Sequence, residues 1–421
     1  MRVLDVLTVP VRTGFYADDQ AAIRAGARHD GFTYVGEPLT PGFRSIRQPG
    51  EALSVMLLLE DGSVQHGDCA AVQYSGAGGR DPVFSADQAA RDIDKHVAPV
   101  LRGRELTGFR DLAVELEAIC TPRGPLHTAI RYGVSQAVLA AVAAAQRVTM
   151  AEVVRDEYAT DAPLLPVPLY AQTGDDRYLN ADKMILKGVE VLPHALINNV
   201  TEKLGARGEI LEDYLRWLVR RIEALRPSAD YRPRLHVDTY GTVGVAFGSV
   251  QAVADYLAGL GAICAPYDLV VEHPIDAGNR EDQIARYVEL RLALRARGSS
   301  VRISVDEWCN TLEDISLFVA AGAADVIHVK TPDLGGVHNT IEALLLVADA
   351  GLEAYCGGTC NETDRSAQVS AHIAMACVAS QVLAKPGMGV DEGLMIVGNE
   401  MARTAAIAGS RATRVGSDGY R

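Results

Sequence analysis

From Pro163 onward, short apolar runs alternate with longer segments of helical periodicity. The runs are Pro166–Tyr170, Met184–Leu186, Leu235–Val237, Leu269–Val271, Val301–Val305, Val326–Val329, Leu352–Tyr355 and Gln381–Leu383. Between most of them apolar residues recur every three or four positions, the mark of a helix with one buried face. Thr201–Leu225 shows this best, with Leu204, Ile210, Leu211, Leu215, Leu218, Ile222 and Leu225 on one side. Asn279–Arg297, Asn310–Ala321, Val337–Ala350 and Arg365–Ser380 follow the same pattern. Strand alternating with helix predicts parallel strands joined by crossovers. Runs that are apolar almost throughout predict strands buried on both faces, and eight of them predict a closed (β/α)8-type, TIM-like barrel. No helix is visible between the first two runs, so that unit is expected to be irregular. An open doubly wound sheet is the alternative, weakened by the lack of a dinucleotide fingerprint.

Residues 1–160 have another texture. Val3–Val11 and Leu53–Leu59 are β-rich runs of strand length, and Thr13–Gly36 between them is polar and glycine-bearing. The glycine-rich stretch His66–Arg80 lacks GxGxxG or GxxxxGK spacing. It is expected to bring backbone close to a ligand, or to move, and not to hold a nucleotide. His127–Gln146 reads as an alanine-rich helix packed closely on a neighbour. The division expected is an α+β unit over 1–160, a barrel over 161–408 and a frayed tail over 409–421.

Composition narrows the partners. The chain has 421 residues, 48% of them apolar, which suffices for a substantial core. A formal net charge of −14 argues against nucleic acid. The most apolar stretch, Ala137–Ala145, is too short to span a bilayer, and the N-terminus lacks a signal-peptide pattern. Seven scattered cysteines do not form a disulfide framework, so a reducing cytoplasm is expected.

Three consecutive predicted strands end in an acid, Asp238, Glu272 and Asp306, at equal intervals of one βα unit. Neighbouring parallel strands lie roughly 4.8 Å apart, which gathers these carboxylates at one rim. Each could merely cap the next helix. Matched positions on three strands favour a site for a hard dication, and an all-oxygen set suits Mg²⁺. The next strand, Val326–Val329, runs into Lys330, and His328 points the same way by the alternation of side chains. A dication beside a lysine suits removal of a proton α to a carboxylate, the metal stabilising the second negative charge and the lysine taking the proton. Cys356 and Cys360 have the spacing of a weak metal pair, but no second pair completes a zinc site.

Several long runs carry a family resemblance. They are His29–Tyr34, His66–Arg80, Leu126–Gly133, Leu192–Val200, Asp306–Asn310, Lys330–Gly336, Tyr355–Glu362 and Ala384–Glu392. Through these runs the chain resembles the enolase superfamily and, within it, the 3-methylaspartate ammonia-lyases, from Met1 to about Arg403. The resemblance implies reversible loss of ammonia from (2S,3S)-3-methylaspartate to give mesaconate. It implies that residues 1–160 cap the barrel, that Asp238, Glu272 and Asp306 hold Mg²⁺, and that Lys330 takes the C3 proton. His194 would face the other side of the substrate, as partner base or as donor to its carboxylate. Gln73 and Gln172 would approach the amine and the distal carboxylate, the backbone at Thr359 and Cys360 would add donors, and Leu383 would line the methyl side. K⁺ as monovalent activator and a homodimer are implied as well.

One position departs from the family pattern. Where that pattern has Gln two residues before the lysine, this chain has His328, expected to donate to the substrate carboxylate as a neutral imidazole. Rival readings are a racemase or dehydratase of the same superfamily, or a binding protein that kept the fold and lost the chemistry. The first usually needs a Lys-x-Lys pair after the second barrel strand, and Lys183-Met-Ile-Leu-Lys187 is spaced differently. The intact acids and Lys330 speak against the second.

Overall fold

β1 (Val3–Asp18) opens the chain, and two short strands, β2 (Arg28–Asp30) and β3 (Thr33–Val35), make a hairpin inside the polar, glycine-bearing stretch. β1 then joins β4 (Arg47–Leu59) and β5 (Val64–Ala70) in an antiparallel sheet of order β1-β4-β5. The computed structural model of the protein describes residues 1–77 and 79–418. A second small hairpin, β6 (Cys120–Thr121) with β7 (Gly124–Pro125), leads into the helix Thr128–Gln146.

That helix lies against β5 at very close range, which accounts for its alanines and glycine. A Cβ on Gly67 would sit 2.3 Å from Gly133 O, and one on Gly133 would sit 2.4 Å from Cys69 N. No side chain fits between the two backbones at this crossing. Gln136 completes the joint, donating to Asp68 O at 3.2 Å and accepting from Asp68 N at 3.3 Å. By length and apolar composition this helix could cross a membrane, but most of it is buried against the sheet and neighbouring helices as core.

Eight parallel strands close into the barrel. They are β8 (Leu169–Tyr170), β9 (Val191–His194), β10 (Arg234–Asp238), β11 (Leu269–Glu272), β12 (Arg302–Val305), β13 (Val326–Val329), β14 (Glu353–Cys356) and β15 (Gln381–Leu383). Their order around the barrel is β10-β11-β12-β13-β14-β15-β8-β9. Seven of the expected runs lie on or beside these strands. Met184–Leu186 does not. It ends the helix Arg177–Leu186, whose buried Arg177, Asn180, Ala181, Met184 and Ile185 fall at helical spacing. A run of that length covers less than one helical turn, so strand and helix look alike in it. The true second strand was hidden by Pro193, a residue that cannot donate to a ladder and is unusual in a central strand. The missing first helix and the displaced second strand are therefore one correction.

His194 is the last residue of β9. The final helix runs Val390–Asp418 and takes in most of the tail expected to fray, while 419–421 lie outside the described residues. Its buried Met401 and Thr404 pack on the helix Asp364–Ala376, where His372 Nε2 lies 3.0 Å from Glu400 Oε1. All seven cysteines are free.

The N-terminal sheet meets the barrel at the carboxyl ends of its strands. Gly14 N donates to Glu362 O at 2.7 Å, and Asn361 Nδ2 donates to Ala71 O at 3.0 Å. The end of β5 and its loop are thereby pressed onto the rim where the acids were expected.

Candidate active site

Every barrel strand contributes a side chain to the same rim. Gln172 follows β8, His194 ends β9, Asp238 ends β10, Glu272 ends β11, Asp306 follows β12, Lys330 follows β13, Thr359 and Cys360 lie beyond β14, and Leu383 ends β15. Gln73 arrives from beyond β5. All of these except Glu272 line one cavity, together with His328, Arg80, Tyr240, Glu307 and Tyr355. Asp238 pairs with Glu272 in the strand register, and Glu272 with Ser304, so Asp306 stands two residues farther out than the other acids. Tyr240, His273 and Trp308, one or two residues beyond the three acids, have φ of 49°, 46° and 65°. Non-glycine residues held there store strain of about 1–3 kcal/mol each, which is characteristic of functional turns.

Glu272 is enclosed by donors. Tyr355 OH lies 2.9 Å from each of its oxygens, His328 Nδ1 2.9 Å from Oε1, and His236 Nε2 2.8 Å from Oε2. The partners on the far side of each ring set the tautomers. Gln381 Nε2 donates to His236 Nδ1 at 2.9 Å, which leaves the proton on Nε2, close to Glu272 but not aligned for a hydrogen bond. Gly358 N–H donates to His328 Nε2 at 3.2 Å, which leaves the proton on Nδ1. Tyr170 stacks on His236 at 4.4 Å and Tyr355 on His328 at 4.2 Å, so both rings are held flat. Burial pushes the Glu272 carboxyl up, but His328 and His236 outweigh it and the group ends below its ordinary value.

His328 therefore differs from its expected role. Both ring nitrogens are engaged, Nδ1 on Glu272 and 3.2 Å from Asp306 Oδ1, Nε2 on the Gly358 amide. Burial lowers its pKa, and the Asp306 and Glu272 carboxylates more than reverse this. Against that pull, the Gly358 N–H opposes a proton on Nε2. The backbone donor is fixed by the main chain and decides the tautomer, so the ring is a neutral donor to an acid, with no N–H turned to the cavity.

Lys330 Nζ lies 2.7 Å from Asp306 Oδ1 and 3.9 Å from Glu307 Oε1. Burial draws its pKa down, but Asp306 and Glu307 hold it above the ordinary lysine value. Burial alone would raise the Asp306 carboxyl; Lys330 and His328 pull it well below its usual range. For Asp238, burial with the charges of Glu272 and Asp306 outweighs the pull of Lys330 and raises the carboxyl. Its own support is the Tyr240 N–H at 3.1 Å, with His194 Nε2 3.5 Å away. Burial pushes the His194 imidazole down to about 4, so the ring is neutral at ordinary pH.

Among the described residues, ligand atoms that all lie within 4.8 Å of one another belong to Glu272, Asp306 and His328, and Asp238 stands outside that set. His328 is the poor member, because the nitrogen facing the acids carries its proton. The donors left are carboxylate oxygens. Asp306 Oδ1 is buried without a hydrogen bond despite Lys330 nearby, an oxygen suited to a cation.

The two glutamines are placed differently. Gln73 donates to Asp18 Oδ2 at 2.8 Å and accepts from Cys360 Sγ at 3.2 Å, while Asp18 is held by Arg47 at 2.8 and 2.7 Å. Gln172 donates to Gly387 O at 3.2 Å. Cys356 Sγ points instead to Ser370 O, so the two thiols of the Cys356–Cys360 spacing do not form a pair. The sequence reading missed Arg80, which reaches from the glycine-rich stretch to Asp333 at 2.8 Å and Glu307 at 2.9 Å. It also missed His236, although the alternation that aligned His328 with Lys330 equally aligns His236 with Asp238.

A family model for the methylaspartate ammonia-lyase N-terminus matches residues 1–159, and one for its C-terminus matches 162–410. The chain belongs to the methylaspartate ammonia-lyase family. Methylaspartate ammonia-lyase from Clostridium tetanomorphum is 54% identical over 412 residues, covering 98% of this chain and all of that one. A solved Mg complex of the C. tetanomorphum enzyme superposes with a TM-score of 0.94. The Citrobacter amalonaticus enzyme, solved containing (2S,3S)-3-methylaspartic acid, is 50% identical, with a TM-score of 0.95 over 97% of this chain and all of that one. In this chain Asp238, Glu272, Asp306 and Lys330 stand at four consecutive strand ends, with His328 on β13.

Proposed function

We propose that the protein catalyses the reversible loss of ammonia from (2S,3S)-3-methylaspartate to give mesaconate. One observation carries the reading: all eight strand ends converge, with a buried lysine beside three acids on the preceding strands. The near full-length similarity to methylaspartate ammonia-lyases supports the substrate. Glu272 and Asp306 fit Mg²⁺ by their oxygen donors, their burial and an Asp306 Oδ1 that accepts no hydrogen bond although Lys330 Nζ lies 2.7 Å away, and Asp238, buried on the neighbouring strand end, would complete the set. When bound there, the ion supplies positive charge that offsets the second negative charge on the substrate carboxylate and opposes the proton on Lys330.

Neutral Lys330 removes the C3 proton, the electron pair moves toward C2, and the C2–N bond breaks to release ammonia. His194, neutral and across the cavity, meets the other face of the substrate. Gln73 and Gln172 orient the amine and distal carboxylate, the loop at Thr359 and Cys360 adds a backbone donor at Cys360, the Thr359 N–H being taken by Glu362, and Leu383 lines the methyl side. Family resemblance supports K⁺ activation and a homodimer. A racemase or dehydratase is disfavoured because Lys183 and Lys187 lie on and just past the helix Arg177–Leu186, each paired with Asp391, away from the rim.

Mixed with Mg²⁺, K⁺ and (2S,3S)-3-methylaspartate, the protein should produce the ultraviolet absorbance of mesaconate. Excess chelator should stop the reaction and added Mg²⁺ restore it. No mesaconate under these conditions would reject the reading.

The tautomer at His328 sharpens what its replacement should do. His328→Gln retains a donor toward Glu272, so kcat/KM should change by no more than about tenfold, or ~1.4 kcal/mol. His328→Ala leaves Glu272 without one donor and the Gly358 amide without its acceptor. The Mg²⁺ concentration for half-activation should then rise by about 10- to 100-fold, the usual effect of losing a partner of a metal ligand. A rise in substrate KM at saturating Mg²⁺, with Mg²⁺ affinity unchanged, would return His328 to the role of substrate donor.

A further inference from the structure

Behind the loop that carries Thr359 and Cys360 lies an ion pair with no part in the proton transfer. Lys385 follows β15, Glu362 ends the loop after β14, and both side chains are fully buried, with Nζ 2.9 Å from Oε1. Lys385 also donates to Gly357 O at 2.7 Å and to Thr331 Oγ1 at 2.9 Å, which uses all three of its protons. Glu362 Oε1 accepts from Thr359 N–H at 3.0 Å, and Oε2 accepts from Tyr132 OH at 2.8 Å. Four parts of the chain meet here: the loops after β13, β14 and β15, and the helix Thr128–Gln146 of the N-terminal region.

Stability alone is a weak account of such a pair. Two charges taken wholly out of water gain little over apolar side chains of the same shape. The geometry offers another use. The turn at Gly357 and Gly358 has little stiffness of its own, with Gly358 at φ 147°. Gly357 cannot carry a side chain, because a Cβ there would fall 2.0 Å from His328 Nε2. The turn is instead gripped from both sides. His328 takes the Gly358 N–H, while Lys385 takes the Gly357 carbonyl and Glu362 the Thr359 N–H. The same ammonium holds Thr331, the residue after Lys330.

We propose that Lys385 and Glu362 are positioning residues, an internal strut that fixes the Gly357–Cys360 backbone where it lines the cavity and so sets affinity for the substrate. The proposal rests on the substrate reading above. Donors held alike in ground and transition state act on binding, so loosening them raises KM and leaves kcat nearly intact.

The test compares Lys385→Met and Glu362→Gln with a control at the opposite end of the barrel. Arg291→Met serves, since it breaks a pair with Asp325 just ahead of β13. Each protein is assayed well below its melting temperature, and amide hydrogen exchange is followed in the peptide spanning Gly357–Glu362. The strut predicts KM at least about tenfold higher, kcat within about threefold, and exchange at least about tenfold faster in both variants, with the control unchanged in all three. Glu362→Gln keeps the shape and an acceptor oxygen, so it decides alone if Lys385→Met fails to fold. Unaltered KM and exchange in folded Glu362→Gln would overturn the proposal, as would equal changes in the control. If the unsubstituted protein makes no mesaconate, the substrate reading fails, and the exchange measurement still decides the strut.

Discussion

Replacing Lys330 by alanine should lower kcat/KM for (2S,3S)-3-methylaspartate by about 10²- to 10⁴-fold, the usual contribution of a positioned general base. The loss should fall on kcat, because Lys330 acts on the substrate only as the proton moves. Asp306 and Glu307 hold the ammonium above the ordinary lysine range, so the unsubstituted enzyme needs its lysine deprotonated before turnover. Activity should therefore rise with pH along its acid limb, and Lys330→Ala should erase that limb. His194→Ala should spare the (2S,3S) isomer relative to (2S,3R), whose C3 proton faces the other way. Mesaconate absorbance with both isomers and both variants checks this division. Equal losses on the two isomers in both variants would contradict it.

Asp306→Asn should cost turnover about 10³-fold, several kcal/mol of charge stabilisation at the reacting carboxylate. The side chain keeps its size and one oxygen but loses its charge. Two effects combine, because Asp306 both lies beside Glu272 in the acid cluster and accepts from Lys330 at 3.0 Å. Removing the carboxylate weakens the cation site and at the same time frees Lys330 from its anion, which lowers the lysine's pKa. Calorimetry should show weaker Mg²⁺ binding, and the acid limb of the pH profile should move to lower pH. Unchanged Mg²⁺ affinity would remove Asp306 from the ligand set. Full activity of the unsubstituted protein in excess chelator would remove the metal altogether.

Sequence alone carried much of the architecture, because the periodicity of apolar residues is a local property of secondary structure. Seven of the eight barrel strands, β8 and the six from Leu235 to Leu383, stand out as apolar runs, most of them separated by helical spacing. The same regularity placed an acid at the end of β10, β11 and just past β12, and a lysine just past β13. Where periodicity was too short to be diagnostic, the reading slipped. Met184–Leu186 is apolar as a strand would be, yet it is the last turn of a helix with Met184 and Ile185 buried and Leu186 exposed, and Pro193 masked the strand that follows.

What tertiary structure decided lies in contacts between residues far apart in the chain. His328 sits two positions before Lys330 and lines the same cavity. Only the fold set Glu272 on one side of its ring and the Gly358 amide on the other, and so made it a donor to an acid. The donors around Glu272 come from β10, β13 and β14, and Arg80 reaches the barrel from the N-terminal region. Lys385 and Glu362 are unremarkable in sequence, a lysine before a proline and a glutamate in a polar loop. They become an ion pair only because strand closure brings the loops of β13, β14 and β15 together under the helix Thr128–Gln146. A charge's role depends on its neighbours and on how much water reaches it, and both are properties of the folded chain.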